Sequence, residues 1–140
     1  MTYRKMALST GVSPPHKSLR VLCAEDDPNV ALILKYALET AGHQVECFND
    51  GETAFARVIS DMRSFDLVIT DHQMPSLSGL RLVEKLREAK YPGRIIVHSS
   101  NLRETAASAY RALGVDHILR KPAQLTELMD AVHGIDQATP

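Results

Sequence analysis

The fold is decided by the stretch Leu67-Val-Ile-Thr-Asp71-His-Gln-Met-Pro75, in which a short apolar run leads into a carboxylate and a Met-Pro turn. Such a run predicts a β-strand that is buried on both faces of a sheet. Asp71 stands where this strand ends, and open parallel sheets bind their ligands outside the carboxyl ends of their strands. A single aspartate at such a place also commonly starts a turn, so the rest of the chain must decide its role.

Other predicted strands also end in polar residues. Glu25-Asp26-Asp27 follow the first strand, Ser99 closes the fourth and Lys121 follows the fifth. Amphipathic helices are predicted between the strands, and this alternation indicates one parallel sheet with helices on both faces. The predicted strands cover residues 19–24, 44–48, 65–70, 95–97 and 115–120.

The second predicted strand, Gln44–Phe48, alternates polar and apolar residues, which is typical of an edge strand. The pattern predicts an α/β fold with a doubly wound, five-stranded parallel sheet in the strand order 2-1-3-4-5. The switch point of that order lies between strands one and three. Glu25 and Asp26 are therefore expected to meet Asp71 in the crevice where this kind of fold binds its ligand.

The composition indicates a globular protein. The chain has 140 residues, of which 44% are hydrophobic and 24% charged, and a formal net charge of -1, so it lacks a broad basic surface for nucleic acid. No apolar run approaches the ~20 residues of a membrane span, and no long apolar stretch follows Arg4 and Lys5 as in a signal peptide. We therefore expect a cytoplasmic protein without membrane insertion.

Cys23 and Cys47 form no CxxC motif and fall in predicted strands, so both are expected to be buried, reduced thiols.

Three segments are distinguished within the chain. Residues 1–18, which include Pro14-Pro15 and few periodic apolar positions, are expected to form a flexible N-terminal extension. A partner-binding arm is the alternative for this extension. Residues 19–134 are expected to form the single domain, and residues 135–140 a C-terminal tail.

Four motifs of the chain resemble those of a known family. They are Val-Leu-Cys-Ala-Glu-Asp-Asp-Pro at 21–28, Asp-Leu-Val-Ile-Thr-Asp-His-Gln-Met-Pro at 66–75 followed by Ser-Gly-Leu, Ile-Ile-Val-His-Ser-Ser at 95–100, and Leu-Gly-Val-Asp-His-Ile-Leu-Arg-Lys-Pro at 113–122. In this order and at these strand ends, they are similar to the receiver domain of two-component response regulators. The resemblance covers about residues 19–134. It implies a flavodoxin-like fold and phosphorylation of Asp71 by the phosphohistidine of a partner protein.

The acidic residues predict a divalent cation. Three carboxylates that converge in one crevice repel one another, and a cation removes this conflict. Mg²⁺ takes about six oxygen ligands and keeps several waters, so a few carboxylates and a carbonyl suffice. The resemblance implies that Asp26 and Asp71 hold Mg²⁺ directly, with Glu25 acting through a water molecule. It also implies the backbone carbonyl of Gln73 as a ligand, whereas Asp27 is expected to cap the following helix.

The resemblance also implies roles in phosphoryl transfer, which depends on positioning and charge neutralisation. Asp71 supplies the attacking oxygen, and Lys121 with Mg²⁺ stabilises charge on the phosphoryl oxygens. Ser99 hydrogen-bonds the product phosphoryl group and draws its loop inward. A cis peptide bond is implied between Lys121 and Pro122. The implied partners are a sensor histidine kinase or histidine phosphotransfer protein and a downstream effector protein, and homodimerisation stays open.

Two departures from the family pattern concern its output face. Ile118 stands where an aromatic residue usually lies, and Ala123 stands where Phe often follows Lys-Pro. Because Ile118 has no ring that can move, we expect phosphorylation to act through the Ser99 loop and the fourth helix. A partner would then sense the position of that loop or the fourth helix, including Leu102, Arg103 and Tyr110.

Two other functions stay open. A pseudo-receiver would keep the fold as an unphosphorylated interaction module, which Ile118 favours and the complete acidic site disfavours. An aspartyl-phosphate hydrolase also uses a strand-end aspartate, but it needs a second acid two residues later, where this chain has Gln73. His72 is expected to face away from Asp71 and to have a structural or rim role, because adjacent strand residues point to opposite faces. We interpret the chain as a signalling module rather than an enzyme, either a stand-alone regulator or part of a longer protein.

Overall fold

The structure, a computed structural model, describes residues 17–121 and 125–138. Most of the expected N-terminal extension, residues 1–16, lies outside the described residues. The same holds for Ala123 and for the peptide bond between Lys121 and Pro122. No helix within the described ranges combines the length and the apolar character that crossing a bilayer requires.

Five parallel strands form one sheet in the order β2-β1-β3-β4-β5, which confirms the predicted topology. The edge position of β2 is likewise confirmed. The strands are β1 (Arg20–Ala24), β2 (Gln44–Phe48), β3 (Leu67–Thr70), β4 (Arg94–Ser99) and β5 (His117–Arg120). The helices are α1 (Pro28–Thr40), α2 (Gly51–Ser60), α3 (Gly79–Glu88), α4 (Glu104–Ala112) and α5 (Leu125–Ala138).

The central strand β3 is buried on both faces of the sheet. Val68 packs in an apolar cluster with residues of α2, α3 and α4, whereas Leu67 and Ile69 pack in a second cluster with residues of α1 and α5. This two-sided burial explains the continuous apolar sequence of β3. The edge strand β2 buries only Val45 completely, which fits its alternating sequence.

Only one of the two neighbouring aspartates before α1 caps the helix. Asp27 caps the helix as predicted, because its Oδ1 accepts hydrogen bonds from the amides of Asn29 at 2.9 Å and Val30 at 3.4 Å, and Pro28 occupies the first helical position. Asp26 precedes the cap and is exposed. The carboxylate of Asp26 therefore remains available for another use.

Helix α5 continues to Ala138, past the position where the C-terminal tail was expected to begin. Ile135 is only 6% exposed and packs in the core with Leu128, Ala131 and Val132. These four residues recur at the spacing of one helical face, so the apolar stripe holds the last turns of the helix against the sheet. Helix α5 therefore extends past residue 134, and the domain boundary stays a prediction.

The two cysteines differ in burial. Cys23 on β1 is completely buried, as expected, whereas Cys47 on β2 is only half-buried. The expectation for Cys47 is wrong because β2 is an edge strand with a neighbour on one side only. Both thiols are free in the structure.

Candidate functional site

The acidic residues at the ends of β1 and β3 converge. The amide of Asp71 donates a hydrogen bond to the carbonyl of Ala24 at 2.9 Å, which sets Asp71 beside the end of β1. Oxygen atoms from the carboxylates of Glu25, Asp26 and Asp71 all lie within 4.8 Å of one another. The structure thus brings together the three carboxylates that the strand order predicted to meet.

Lys121 reaches the same cluster from the end of β5. Its amide donates to the carbonyl of Ser99 at 2.8 Å, which holds the lysine beside the end of β4. Its Nζ lies 2.8 Å from Oε1 of Glu25 and 3.1 Å from Oδ2 of Asp71. Because these groups are buried or half-buried, salt screens their attraction less than it screens a surface ion pair.

Burial disfavours the ionised form of Glu25. This residue is only 3% exposed, and desolvation raises the pKa of its carboxyl above the ordinary glutamate value. Hydrogen bonds from Lys121 and from the amide of Asp27, at 3.1 Å, oppose this rise in pKa, and the charge of Asp71 adds to it. Glu25 is therefore a carboxylate that is costly to ionise unless a further positive charge is near.

Lys121 supplies only part of that charge. Desolvation lowers its pKa, but the hydrogen bonds to Glu25 and Asp71 outweigh desolvation, so the pKa of Lys121 is raised and the amine is protonated at neutral pH. One ammonium group among three carboxylates leaves the cluster negative when all three are ionised. This imbalance is the electrostatic feature that a bound cation would remove.

The donor set fits Mg²⁺. All three converging groups are carboxylates, and hard divalent cations prefer oxygen ligands. Asp26 is exposed, which leaves solvent on one side for the water molecules that Mg²⁺ retains. Gln73 is exposed in the loop that follows β3, and its carbonyl stays a predicted ligand.

The loop after β3 holds Asp71 in place. Oδ1 of Asp71 accepts a hydrogen bond from the amide of His72 at 2.7 Å, and the amide of Gly79 donates to the carbonyl of His72 at 2.7 Å. A Cβ atom on Gly79 would lie 2.0 Å from the carbonyl oxygen of Asp71, so α3 approaches this loop closely only because residue 79 has no side chain. This role was not predicted, since the sequence shows a glycine but not the backbone that packs against it.

The side chain of His72 contacts α4, and its structural or rim role stays a prediction. Its Nδ1 lies 2.7 Å from the hydroxyl oxygen of Tyr110, and the two rings meet edge to face with centroids 5.6 Å apart. Tyr110 is completely buried. The residue after Asp71 is thus tied to the fourth helix through one hydrogen bond, a connection that the sequence did not indicate.

The burial of Leu102 and Tyr110 corrects the expected output surface. Both residues pack in the apolar cluster on the α2, α3 and α4 face of the sheet, and neither side chain is open to a partner. The expectation that a partner contacts these two residues is wrong, because both side chains are buried in that cluster. Arg103, which directly precedes α4, is exposed and stays a predicted contact.

Ser99 and Ile118 lie close to the site on neighbouring strands. Ser99 is buried at the end of β4, and its carbonyl accepts the amide of Lys121. Ile118 in β5 is half-buried, pairs with Val97 in the sheet register and packs against the same apolar cluster as Tyr110. The roles of Ser99 in phosphoryl binding and of Ile118 in output stay predictions.

Comparison with known proteins decides the family. A sequence model described as the response regulator receiver domain matches residues 21–133. The chain belongs to the response-regulator receiver family. This match spans the five strands except Arg20, the first residue of β1, and it ends within α5. Receiver domains are signalling modules, and the acidic cluster with Lys121 lies at the strand ends where the four family motifs occur.

The receiver is similar to parts of longer signalling proteins. It is 29% identical over 120 residues to the transcriptional regulatory protein RprY of Bacteroides fragilis, which covers 85% of this chain and 50% of that protein. It is 34% identical over 125 residues to the virulence sensor protein BvgS of Bordetella pertussis, which covers 83% of this chain and 10% of that protein. The chain therefore spans half or less of the length of these relatives.

Solved structures agree with the fold. The receiver domain of Francisella response regulator 1452 is 27% identical, with a TM-score of 0.78 over 88% of this chain and 100% of that one. The chemotaxis protein CheY4 of Vibrio cholerae is 23% identical, with a TM-score of 0.77 over 85% of this chain and 99% of that one. The receiver accordingly has the flavodoxin-like fold.

Proposed function

We propose that this receiver accepts a phosphoryl group on Asp71 from a phosphohistidine, in a Mg²⁺-dependent reaction, and relays the signal by a conformational change. The observation that carries the proposal is the position of Lys121, whose Nζ lies 2.8 Å from Glu25 and 3.1 Å from Asp71 within the carboxylate cluster. A helix start that merely carried solvated acidic residues would not require a lysine held among nearly buried carboxylates.

Asp71 is the nucleophile of the proposed reaction. The amide of His72 holds Oδ1, and Oδ2 faces Lys121, so the carboxylate has a fixed orientation. Attack of a carboxylate oxygen on phosphorus forms the acyl phosphate, while the bond from phosphorus to the donor imidazole nitrogen breaks and its electron pair stays on that nitrogen. The ammonium group of Lys121 then neutralises charge on the phosphoryl oxygens.

Mg²⁺, when bound, supplies positive charge that offsets repulsion among the carboxylates and the phosphoryl oxygens. Asp26 and Asp71 would hold it directly with the carbonyl of Gln73, and Glu25 would act through a water molecule. The raised pKa of Glu25 supports this assignment, because it marks a buried carboxylate that Lys121 alone does not compensate.

Exposed apolar residues on α1 support a protein as the phosphodonor. Leu32 is 67% exposed, Tyr36 is 72% exposed, and Ile33 between them is also exposed. They lie on the helix that starts directly after Asp26 and Asp27, and large apolar residues clustered in this way are typical of a docking surface. The proposed partners are a sensor histidine kinase or a histidine phosphotransfer protein, and a downstream effector. Because such kinases use ATP, the receiver would act in the cytoplasm.

A small acyl phosphate tests the proposal without a cognate kinase. Incubation with the acyl phosphate and Mg²⁺, followed by intact mass measurement, is expected to show one added phosphoryl group that a chelator prevents. A protein that gains no phosphoryl group with Mg²⁺ present would instead be the pseudo-receiver, which the substitution of the usual aromatic by Ile118 favours.

The hydrolase alternative is separated by turnover of a phosphate monoester. Aspartyl-phosphate hydrolases need an acid two residues after the nucleophile, and here that residue is the amide Gln73. We expect no sustained release of phosphate from a generic monoester. Multiple turnovers that depend on Asp71 would show that the chain acts on free substrates.

A further inference from the structure

Two cysteines face each other across neighbouring strands. Cys23 on β1 and Cys47 on β2 are direct partners in the parallel register. Paired strands lie about 4.7–4.9 Å apart, within the Cα separation of about 4.4–6.8 Å that a disulfide spans. Both side chains pack against the apolar cluster on the α1 and α5 face, so they point to the same side of the sheet. The register therefore places the two thiols so that a bond between them needs only a small local adjustment.

Only one of the two thiols is open to solutes. Cys23 is completely buried, whereas Cys47 is half-buried and lines a groove of about 730 Å³ between α1 and β2. Ala31 and Lys35 of α1 and Phe48 of β2 line the same groove. A small reagent can therefore reach Cys47 first, and Cys23 is positioned to react only with a product formed on Cys47.

The surroundings of Cys47 favour its thiolate. A hydrogen bond from the Cys23 thiol and the positive charge of Lys35 outweigh desolvation and lower the pKa of Cys47 to about 7. A substantial fraction of Cys47 is then ionised at neutral pH, and the thiolate is the nucleophilic form. The lowered pKa and the greater exposure of Cys47 both indicate that Cys47 reacts before Cys23.

We propose that Cys47 and Cys23 are a redox-active pair, which a small hydroperoxide oxidises to an intramolecular disulfide between β1 and β2. Cys47 is the residue attacked first, and Cys23 is the resolving residue. Glu25 and Asp26 line the same groove, but neither thiol belongs to the carboxylate cluster, and the proposal does not depend on phosphorylation of Asp71.

The chemistry needs the hydroperoxide as its only oxidant. The Cys47 thiolate attacks the peroxide oxygen, the O–O bond breaks, and the leaving alkoxide or hydroxide takes a proton, which leaves a sulfenic acid on Cys47. The sulfur of Cys23 then attacks the sulfur of Cys47, its proton passes to the departing hydroxide, and water leaves. In sum, two thiols and one hydroperoxide give a disulfide, an alcohol or water, and one further water.

Hydrogen peroxide with the folded, pre-reduced receiver is the test. Intact mass under non-reducing conditions is expected to fall by two hydrogen atoms, and dithiothreitol should restore it. Trypsin separates the cysteines into peptides 21–35 and 36–57, because cleavage occurs after Arg20, Lys35 and Arg57. The expected product is a linked pair of these two peptides from monomeric protein.

Single variants test the order of the reaction. Cys23→Ser should leave a sulfenic acid on Cys47 that dimedone traps, whereas Cys47→Ser should leave Cys23 unmodified in the folded protein. A disulfide between two chains, direct oxidation of Cys47 to a sulfinic acid without a linked peptide, or no reaction of the wild-type protein would each overturn the proposal. The wild-type peptide map decides the question even if a variant folds poorly.

Discussion

The hydroxyl of Tyr110 lies 2.7 Å from Nδ1 of His72, the residue that directly follows Asp71. Tyr110 belongs to α4 and is completely buried, so this hydrogen bond connects the loop that holds Asp71 to a helix on one face of the sheet. A change at Asp71 that moves His72 would therefore reach α4 through a fixed contact rather than through an exposed side chain.

Tyr110→Phe removes this hydrogen bond and leaves the ring packing intact. Since His72 is half-buried, we expect the free energy of unfolding to fall by about 1 kcal/mol, measured by chemical denaturation. Tyr36→Phe is the matched control, because Tyr36 is exposed and its loss of a hydroxyl should change stability by less than about 0.5 kcal/mol. Equal stabilities of the two variants would show that the Tyr110 hydroxyl contributes nothing at this position.

Gly79→Ala should be strongly destabilising. The added methyl group would lie 2.0 Å from the carbonyl oxygen of Asp71 and 2.9 Å from the hydroxyl of Tyr110, so the loop or α3 must shift. Overpacking of this kind costs about 1–3 kcal/mol of unfolding free energy, and the displaced Asp71 should also bind Mg²⁺ more weakly.

The control for Gly79→Ala is Gly134→Ala in α5. A Cβ on Gly134 meets no atom within 4 Å, and alanine in a helix is favoured over glycine by about 0.5–1 kcal/mol. The two substitutions are chemically identical, yet we expect opposite signs in thermal denaturation. A neutral Gly79→Ala would mean that α3 does not depend on this close approach.

The sequence predicted the parts of this fold that follow from periodicity. The continuous apolar run of β3 and the alternating sequence of β2 were sufficient to predict the strand order. That order was in turn sufficient to predict that Asp71 lies close to Glu25 and Asp26. These features depend on which face of a strand is buried, and that information lies in neighbouring residues of the chain.

Contacts set by the rotation of a helix were not predictable in the same way. Tyr110 was expected at a partner surface, but it is buried against His72, a residue 38 positions earlier in the chain. Whether Tyr110 faces the sheet or the solvent depends on how the whole of α4 is rotated about its axis. The exposure of Cys47 likewise follows from the edge position of its strand and from the width of the adjacent groove.

Mg²⁺ should stabilise the receiver through Asp26. Binding to the folded state alone adds about 1.4 kcal/mol at a concentration of ten times the dissociation constant, which raises the melting temperature by a few degrees. Asp26→Asn should abolish this rise. Asp27→Asn should retain it, because Asp27 caps α1 and its amide replacement can still accept the capping hydrogen bonds. A rise that survives in Asp26→Asn would place the metal elsewhere.

The stabilisation by Mg²⁺ should depend on pH through Glu25. The pKa of Glu25 is raised in the folded protein by burial, so folding without metal favours its protonated form. That contribution to stability is complete below the pKa of the unfolded chain and is lost as pH rises through the raised folded pKa. Mg²⁺ needs the ionised form, so the increase in melting temperature should shrink as pH falls towards the raised pKa. An increase that stays constant until the ordinary glutamate range would contradict this role of Glu25.

Ser99 should couple phosphorylation to the α4 side of the domain. With Mg²⁺ and beryllofluoride as a phosphoryl mimic, we expect slower amide exchange in residues 99–105, because the Ser99 hydroxyl would bind the mimic and draw its loop inward. Ser99→Ala should lose this protection, whereas Ser100→Ala, at an exposed neighbouring position, should keep it. Protection confined to β5 around Ile118 would refute this route.

Site-specific labelling tests whether Asp71 is the phosphoacceptor. Wild-type receiver, Asp71→Asn and Asp66→Asn are each incubated with a small acyl phosphate and Mg²⁺, and intact mass is measured with peptide mapping of the modified residue. Asp66 is a fair control because it flanks the opposite end of β3, where its carboxylate accepts the amide of Arg20 at 2.8 Å. We expect one phosphoryl group on the wild-type protein and on Asp66→Asn, and none on Asp71→Asn. A phosphoryl group that persists in Asp71→Asn would show that another residue is the phosphoacceptor.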